Sequence, residues 1–208
     1  MNPPDNPTPD GSLLLLHALR CVGTAGPERL RAVTGLDESD VESELIALGI
    51  EGLVSRYPGP MPGWSLTAAG RAAHAELIAH ELDAAGARAA VTAAFDRFLV
   101  LNPELLDLCA AWQLRTVDGV VTANDHRDPA YDARVLAGFR DLDRRAVPVR
   151  AELAAALPRF ARYEDRLAGA LDRVAAGETA YLTDDLASYH TVWAEWHEDL
   201  LATLGLRR

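Results

Sequence analysis

The chain contains no lysine. All twenty of its basic residues are arginine, set against 31 acidic residues for a formal net charge of -11. A protein of that sign repels phosphate backbones at long range, which argues against non-specific nucleic-acid binding. The missing lysine, with abundant Ala, Arg and Gly, reads as the mark of a high-GC genome. There are only two cysteines, Cys21 and Cys109. So wide a pair makes neither a disulfide framework nor a metal cluster, and it fits a reducing cytoplasm. Long apolar runs are missing too. The run Leu13 to Leu16 falls far short of the ~18–20 residues of a membrane span, and no basic segment precedes it as in a signal peptide. Gly-rich phosphate loops, nucleophile elbows and zinc-ligand spacings are also lacking, so neither an enzyme nor a bound cofactor or metal is expected.

What remains is an ordinary globular composition of 208 residues, 49% hydrophobic and 25% charged, enough for one large domain or two small ones. Residues 1–10 hold four prolines and almost nothing apolar, which predicts a disordered tail. A helix is expected from Ser12 to Cys21, with Leu13, Leu16 and Leu14 or His17 facing inward. After the break at Gly23–Gly26, Pro27 opens a second helix that buries Leu30 and Val33 and stops at Gly35. A third begins at Asp37 or Glu38, where Val41, Leu45 and Leu48 form one buried stripe before Gly49 and Gly52. Leu53–Tyr57 and Trp64–Thr67 read as strands around a Pro- and Gly-rich turn at 58–63, and Thr67 caps the next helix.

Three short helices, a hairpin and a long helix follow the order of a winged helix-turn-helix, assigned to 11–67. The stretch Leu66-Thr67-Ala68-Ala69-Gly70-Arg71 resembles the Leu-Thr-x-x-Gly-Arg/Lys signature that follows the wing in MarR-like regulators. Leu45 to Val54 is similar to the end of their third helix. The resemblance implies a transcriptional regulator that binds DNA as a homodimer.

Residues 68–208 read as an α-helical bundle, making the whole chain mainly α. An Ala-rich helix is expected over about 68–100, then one opened by Asn102-Pro103 that runs to about Leu114. A loop with Gly119, Asn124, Asp125 and His126 leads to a helix started by Asp128-Pro129. Its Val135, Phe139, Leu142, Ala146, Val149 and Leu153 form a packing seam, with Pro148 kinking or cutting it. Pro158 starts another helix ended by Gly177, and Thr183 caps a last one, Asp184 to Leu204. Phrases such as Ala111-Trp112-Gln113-Leu114-Arg115, Asn124-Asp125-His126 and Tyr189-His190-Thr191-Val192-Trp193 resemble a small actinobacterial family. Its members are described as MarR-like regulators or occur as extensions of pyruvate phosphate dikinase and other phosphoenolpyruvate-utilising proteins. That resemblance implies an alternative: a non-catalytic regulatory or interaction module for such an enzyme, without direct DNA binding. The chain is far too short for the dikinase itself.

In a winged helix the third helix enters the major groove. Here Ser39 and Ser43 face outward and Arg29, Arg31 and Arg56 are the nearby cations, so these five are the DNA-contacting candidates. Against them stand Asp37, Glu38, Asp40, Glu42, Glu44 and Glu51 with no basic residue in that stretch. Phosphate contacts supply much of the affinity for DNA, so these carboxylates oppose the DNA reading.

Effector-binding candidates are Trp112, Arg115, Asp125, His126, His190 and His197. Arg115 suits a carboxylate or phosphate such as phosphoenolpyruvate. His190 and His197 lie seven apart, ~10 Å along a helix, too far to share a metal. A plainer reading also holds: aromatics at helical spacing are core, and Asn124-Asp125 is a turn.

Overall fold

Leu13 through Leu19 are seven consecutive buried residues, so the first helix, α1 (Gly11–Val22), is enclosed on every side. This computed structural model describes residues 11–58 and 62–206; the expected tail at 1–10 and the centre of the 58–63 turn lie outside the described residues. Helix makes up 74% and strand 9% of the described residues, the strands forming two antiparallel two-stranded sheets. Among the described residues no helix is long and apolar enough to cross a membrane. Two compact units divide the chain, one ending at Ala87 and including Glu195 onward, the other Arg88–Ala194.

In the first unit α1 is followed by α2 (Pro27–Thr34) and α3 (Glu38–Ile50). Pro27 sits in the first turn of α2, where its missing N–H costs nothing, and Gly35 closes that helix in the left-handed region at φ 77°. On α3 the expected stripe Val41, Leu45 and Leu48 is buried, but the Asp37 side chain makes no cap hydrogen bond. Strands β1 (Val54–Tyr57) and β2 (Gly63–Leu66) pair with Val54 opposite Leu66. Ala25, between α1 and α2, adds a backbone bridge to Trp64 through two hydrogen bonds of 3.0 and 2.8 Å.

Thr67 caps α4 (Ala68–Ala84) as expected, accepting from the Gly70 N–H at 3.0 Å and donating to the Gly52 carbonyl at 2.7 Å. Gly70 is there because α4 starts hard against the hairpin entry: a Cβ on it would lie 1.9 Å from the Leu53 carbonyl oxygen.

The single helix expected at 68–100 is two. α4 ends in a Schellman-type closure, with Gly86 N–H bonded to Asp83 O and Ala87 N–H to Leu82 O. The second unit then opens with α5 (Arg88–Gln113). Asn102-Pro103 does not start a helix, because α5 runs through it. Pro103 lies on the exposed side, where solvent can satisfy the carbonyl that a proline leaves without its N–H partner. Asn102 instead accepts from the Trp193 indole N–H at 3.1 Å.

The loop expected around Gly119 is a second hairpin, β3 (Leu114–Val117) and β4 (Val120–Ala123). Its two-residue turn, Asp118-Gly119, has φ of 50° and 79°, the primed geometry that suits strand twist. Pro148 does not cut α6 (Pro129–Ala156), and it too is exposed. All six seam residues of α6 are buried, and α6 packs chiefly on α5. Pro158 opens a short 3-10 turn rather than the helix itself, and α7 (Arg162–Ala175) follows.

The last helix also differs. Residues from Ala180 to Thr183 form a separate turn, α8, and α9 begins at Tyr189 (Tyr189–Leu204). Thr183 bonds to Asp184, while the Ser188 hydroxyl takes the Thr191 N–H at 3.2 Å. The start of α9 brings Tyr189 edge-on to Phe139 and stacks Trp193 on Phe98. Beside them Arg150, 3% exposed, is held between Asp143 and Glu164.

Candidate functional site

Asn124 is the hub of the polar loop between β4 and α6. It is buried, and its amide donates to the Trp112 carbonyl at 3.0 Å and to Asp132 Oδ1 at 2.9 Å. Its side-chain oxygen accepts from the His126 backbone N–H at 3.2 Å. That turn puts His126 at φ 56°, a left-handed position for a non-glycine residue. The ring lies against Trp112 with centroids 4.5 Å apart, and its Nδ1 meets Asp132 Oδ2 at 3.1 Å.

Arg115, on β3, donates to Asp125 Oδ1 at 2.8 Å and lies 4.0 Å from Asp128, which caps α6. Four of the effector candidates, Trp112, Arg115, Asp125 and His126, therefore do gather in one place. Three carboxylates (Asp125, Asp128 and Asp132) surround the gathered residues, however, and Trp112 is 3% exposed and belongs to the core. An anion would have to displace Asp125 from Arg115. The arrangement fastens a loop more readily than it receives a phosphate. His190, half-buried, opens α9 in the second unit, while His197 belongs to the first. A cavity of about 440 Å³ lies elsewhere in the second unit, an open groove lined by Ala137, Arg140, Asp143, Arg144 and Leu171.

In the first unit the outward face of α3 carries exposed Glu38, Ser39, Asp40, Glu42 and Ser43. Further along the helix Ile46 is 60% and Ile50 83% exposed. Among the described residues no ion pair joins an arginine to Glu38, Asp40 or Glu42, so the acidic field there stands unneutralised. Of the three candidate cations, Arg29 is closed by an ion pair with Glu195. Arg31 shares a shallow groove with Glu28 and Glu38. Arg56 is exposed on β1. The serines, Arg31 and Arg56 thus sit on the surface, whereas Arg29 is partly buried and taken up by Glu195.

A third cluster went unread in the sequence. His17 and Asp199 are fully buried, with His17 Nε2 2.8 Å from Asp199 Oδ1. Cys21 Sγ lies 3.6 Å from the same nitrogen, and His17 Nδ1 is 2.9 Å from Nε2 of buried His74. Thr203 donates to Asp199 at 3.0 Å. The signal available was His17-x-x-x-Cys21, the i, i+4 spacing that brings two ligands to one ion. Counting Cys21 only as half of an unlikely pair concealed it. The other thiol, Cys109, is buried, and desolvation pushes its pKa up to about 12.

No protein-family model, curated protein or solved structure matches this chain.

Proposed function

We propose that the chain is a winged-helix regulatory protein of the MarR-like kind, non-catalytic, whose α3 face addresses a protein rather than a DNA duplex. Support for the winged helix comes from the order α1, α2, α3, hairpin, α4, and from the Ala25–Trp64 bridge that ties the start of α2 to the wing. The observation that carries the choice of target is the outward side of α3. It combines Glu38, Asp40 and Glu42 with exposed Ile46 and Ile50, and Arg29 is already paired. Charge complementarity calls for a basic partner surface bearing an apolar patch; a phosphate backbone has the wrong sign and offers nothing to isoleucine. The phosphoenolpyruvate-utilising enzyme suggested by sequence resemblance is the first such partner to test.

A second reading, transcriptional control by direct DNA contact, is favoured by the helix order and by exposed Ser39, Ser43, Arg31 and Arg56. Fluorescence anisotropy against the upstream DNA of its own gene, at low and moderate salt, separates the two. The protein-docking reading expects no salt-sensitive complex from the native chain. It also expects Glu38→Gln with Glu42→Gln to weaken partner binding about tenfold, since opposite charges at an interface rim steer association. A salt-dependent complex with DNA that the same substitutions strengthen would establish the second reading instead. In either case the second unit is the candidate for self-association, because β3, β4 and α5 leave Val117, Val120, Val121 and Val100 exposed.

A further inference from the structure

The donor atoms of His17, Cys21 and Asp199 all lie within 4.8 Å of one another in the first unit. We propose that these three side chains bind a divalent metal ion of the zinc class, with His74 orienting His17 from behind. A tetrahedral zinc-type ion holds neighbouring nitrogen, oxygen and sulfur ligands roughly 3.3–3.6 Å apart, given its usual bond lengths. The nitrogen–sulfur separation here, 3.6 Å, already suits it; the 2.8 Å nitrogen–oxygen separation needs to open by about half an ångström.

Charge and softness select the ion. A thiolate and a carboxylate supply two negative charges that a divalent cation cancels, which matters where His17 and Asp199 are wholly withdrawn from water. One nitrogen, one sulfur and one oxygen form a borderline donor set that suits zinc and its first-row neighbours; calcium and magnesium prefer oxygen alone.

The same hydrogen bonds that join the cluster without a metal are arranged to serve it with one. The ion would take the place of the proton between His17 Nε2 and Asp199, and that proton would move to His17 Nδ1. With His74 carrying its own proton on Nδ1, His17 Nδ1–H would donate to His74 Nε2, which fixes the tautomer and ring orientation. Thr203 continues to hold the Asp199 carboxylate. The Cys21 thiol would give up its proton to solvent, so at least one proton leaves per ion bound and affinity weakens as pH is lowered. Cys21 is only half-buried, which leaves an approach from water. Because the ligands come from α1 and α9, an occupied site would tie those helices within their unit.

Cobalt(II) reports the site directly. The full chain, stripped with a chelator and titrated with Co²⁺, should give a near-ultraviolet sulfur-to-cobalt charge-transfer band and tetrahedral visible bands, all bleached by added Zn²⁺. Cys21→Ser, with circular dichroism used to check that the variant is folded, should lose the charge-transfer band, while Cys109→Ser keeps it. His74→Gln should retain the band but weaken zinc binding by about 10–100-fold. If the native chain gives no such band and retains no zinc on dialysis, or if Cys21→Ser matches it, the cluster is a hydrogen-bonded relay only and the proposal fails.

Discussion

At Gly70 one hydrogen atom decides whether α4 can begin where it does. A methyl group there would overlap the Leu53 carbonyl, whose oxygen also receives the Thr67 N–H at 3.0 Å, so relief requires backbone movement at the base of the hairpin. Gly70→Ala should therefore lower unfolding free energy by about 2–4 kcal/mol in denaturant titration. Gly169 is a useful contrast: it lies inside α7 with open space around its Cβ position, and Gly169→Ala should raise stability by about 0.5–1 kcal/mol. Equal effects at the two positions would remove close packing as the reason for the glycine at 70. The same scale explains why the partner of Arg29 was not legible in the sequence. The arginine's type was visible there, but its partner, Glu195, is 166 residues away.

At the scale of elements, local signals were legible and competing ones were not. Pro27, Gly35, Thr67 and the stripe Val41, Leu45 and Leu48 each state a boundary or a buried face within a few residues, and the structure places them as read. Pro103 misled, and Pro148 does not cut its helix, because a proline inside a long helix is tolerated on its wet side, and exposure is a tertiary property. Asp118-Gly119 between β-branched residues was a readable hairpin turn that the helical context on either side overrode. Of the candidate site residues, Trp112, Arg115, Asp125 and His126 share a short stretch of chain and were placed together; His17, Cys21, His74 and Asp199 meet only through folding. The second hairpin has a consequence of its own. Val117 is 41%, Val120 61% and Val121 66% exposed, an apolar surface that a lone two-stranded ribbon does not bury. If it is a self-association face, the native chain should elute as a dimer by light scattering, and Val120→Glu with Val121→Glu should convert it to a monomer of unchanged helicity. A native monomer, or a dimer indifferent to both substitutions, would place self-association elsewhere or nowhere.

Across the whole molecule, the net charge of -11 and the buried ionisable groups make opposite demands as pH rises. The surface is already strongly acidic, so further negative charge raises self-repulsion. The second unit also encloses two weak acids in neutral form: Cys109, whose pKa is raised from 9.0 to about 12 by desolvation, and Tyr189, raised by burial and by the carboxylate of Asp143. Above pH 9 the unfolded chain releases the Cys109 proton while the folded chain keeps it. The unfolded state then binds fewer protons, and stability falls as pH rises until the folded thiol itself ionises near 12. Below 9 both states hold the proton and this group contributes no slope. At about pH 10.5 the loss attributable to Cys109 should be about 2 kcal/mol relative to neutral pH. Urea titrations of the native chain and of Cys109→Ala at neutral pH and at about pH 10.5 isolate it. The variant begins less stable because it leaves a small cavity, yet it should lose less between the two conditions. An identical pH loss in both proteins would mean that Cys109 is solvated in the folded state, and that alkaline sensitivity arises from Tyr189 and from surface charge.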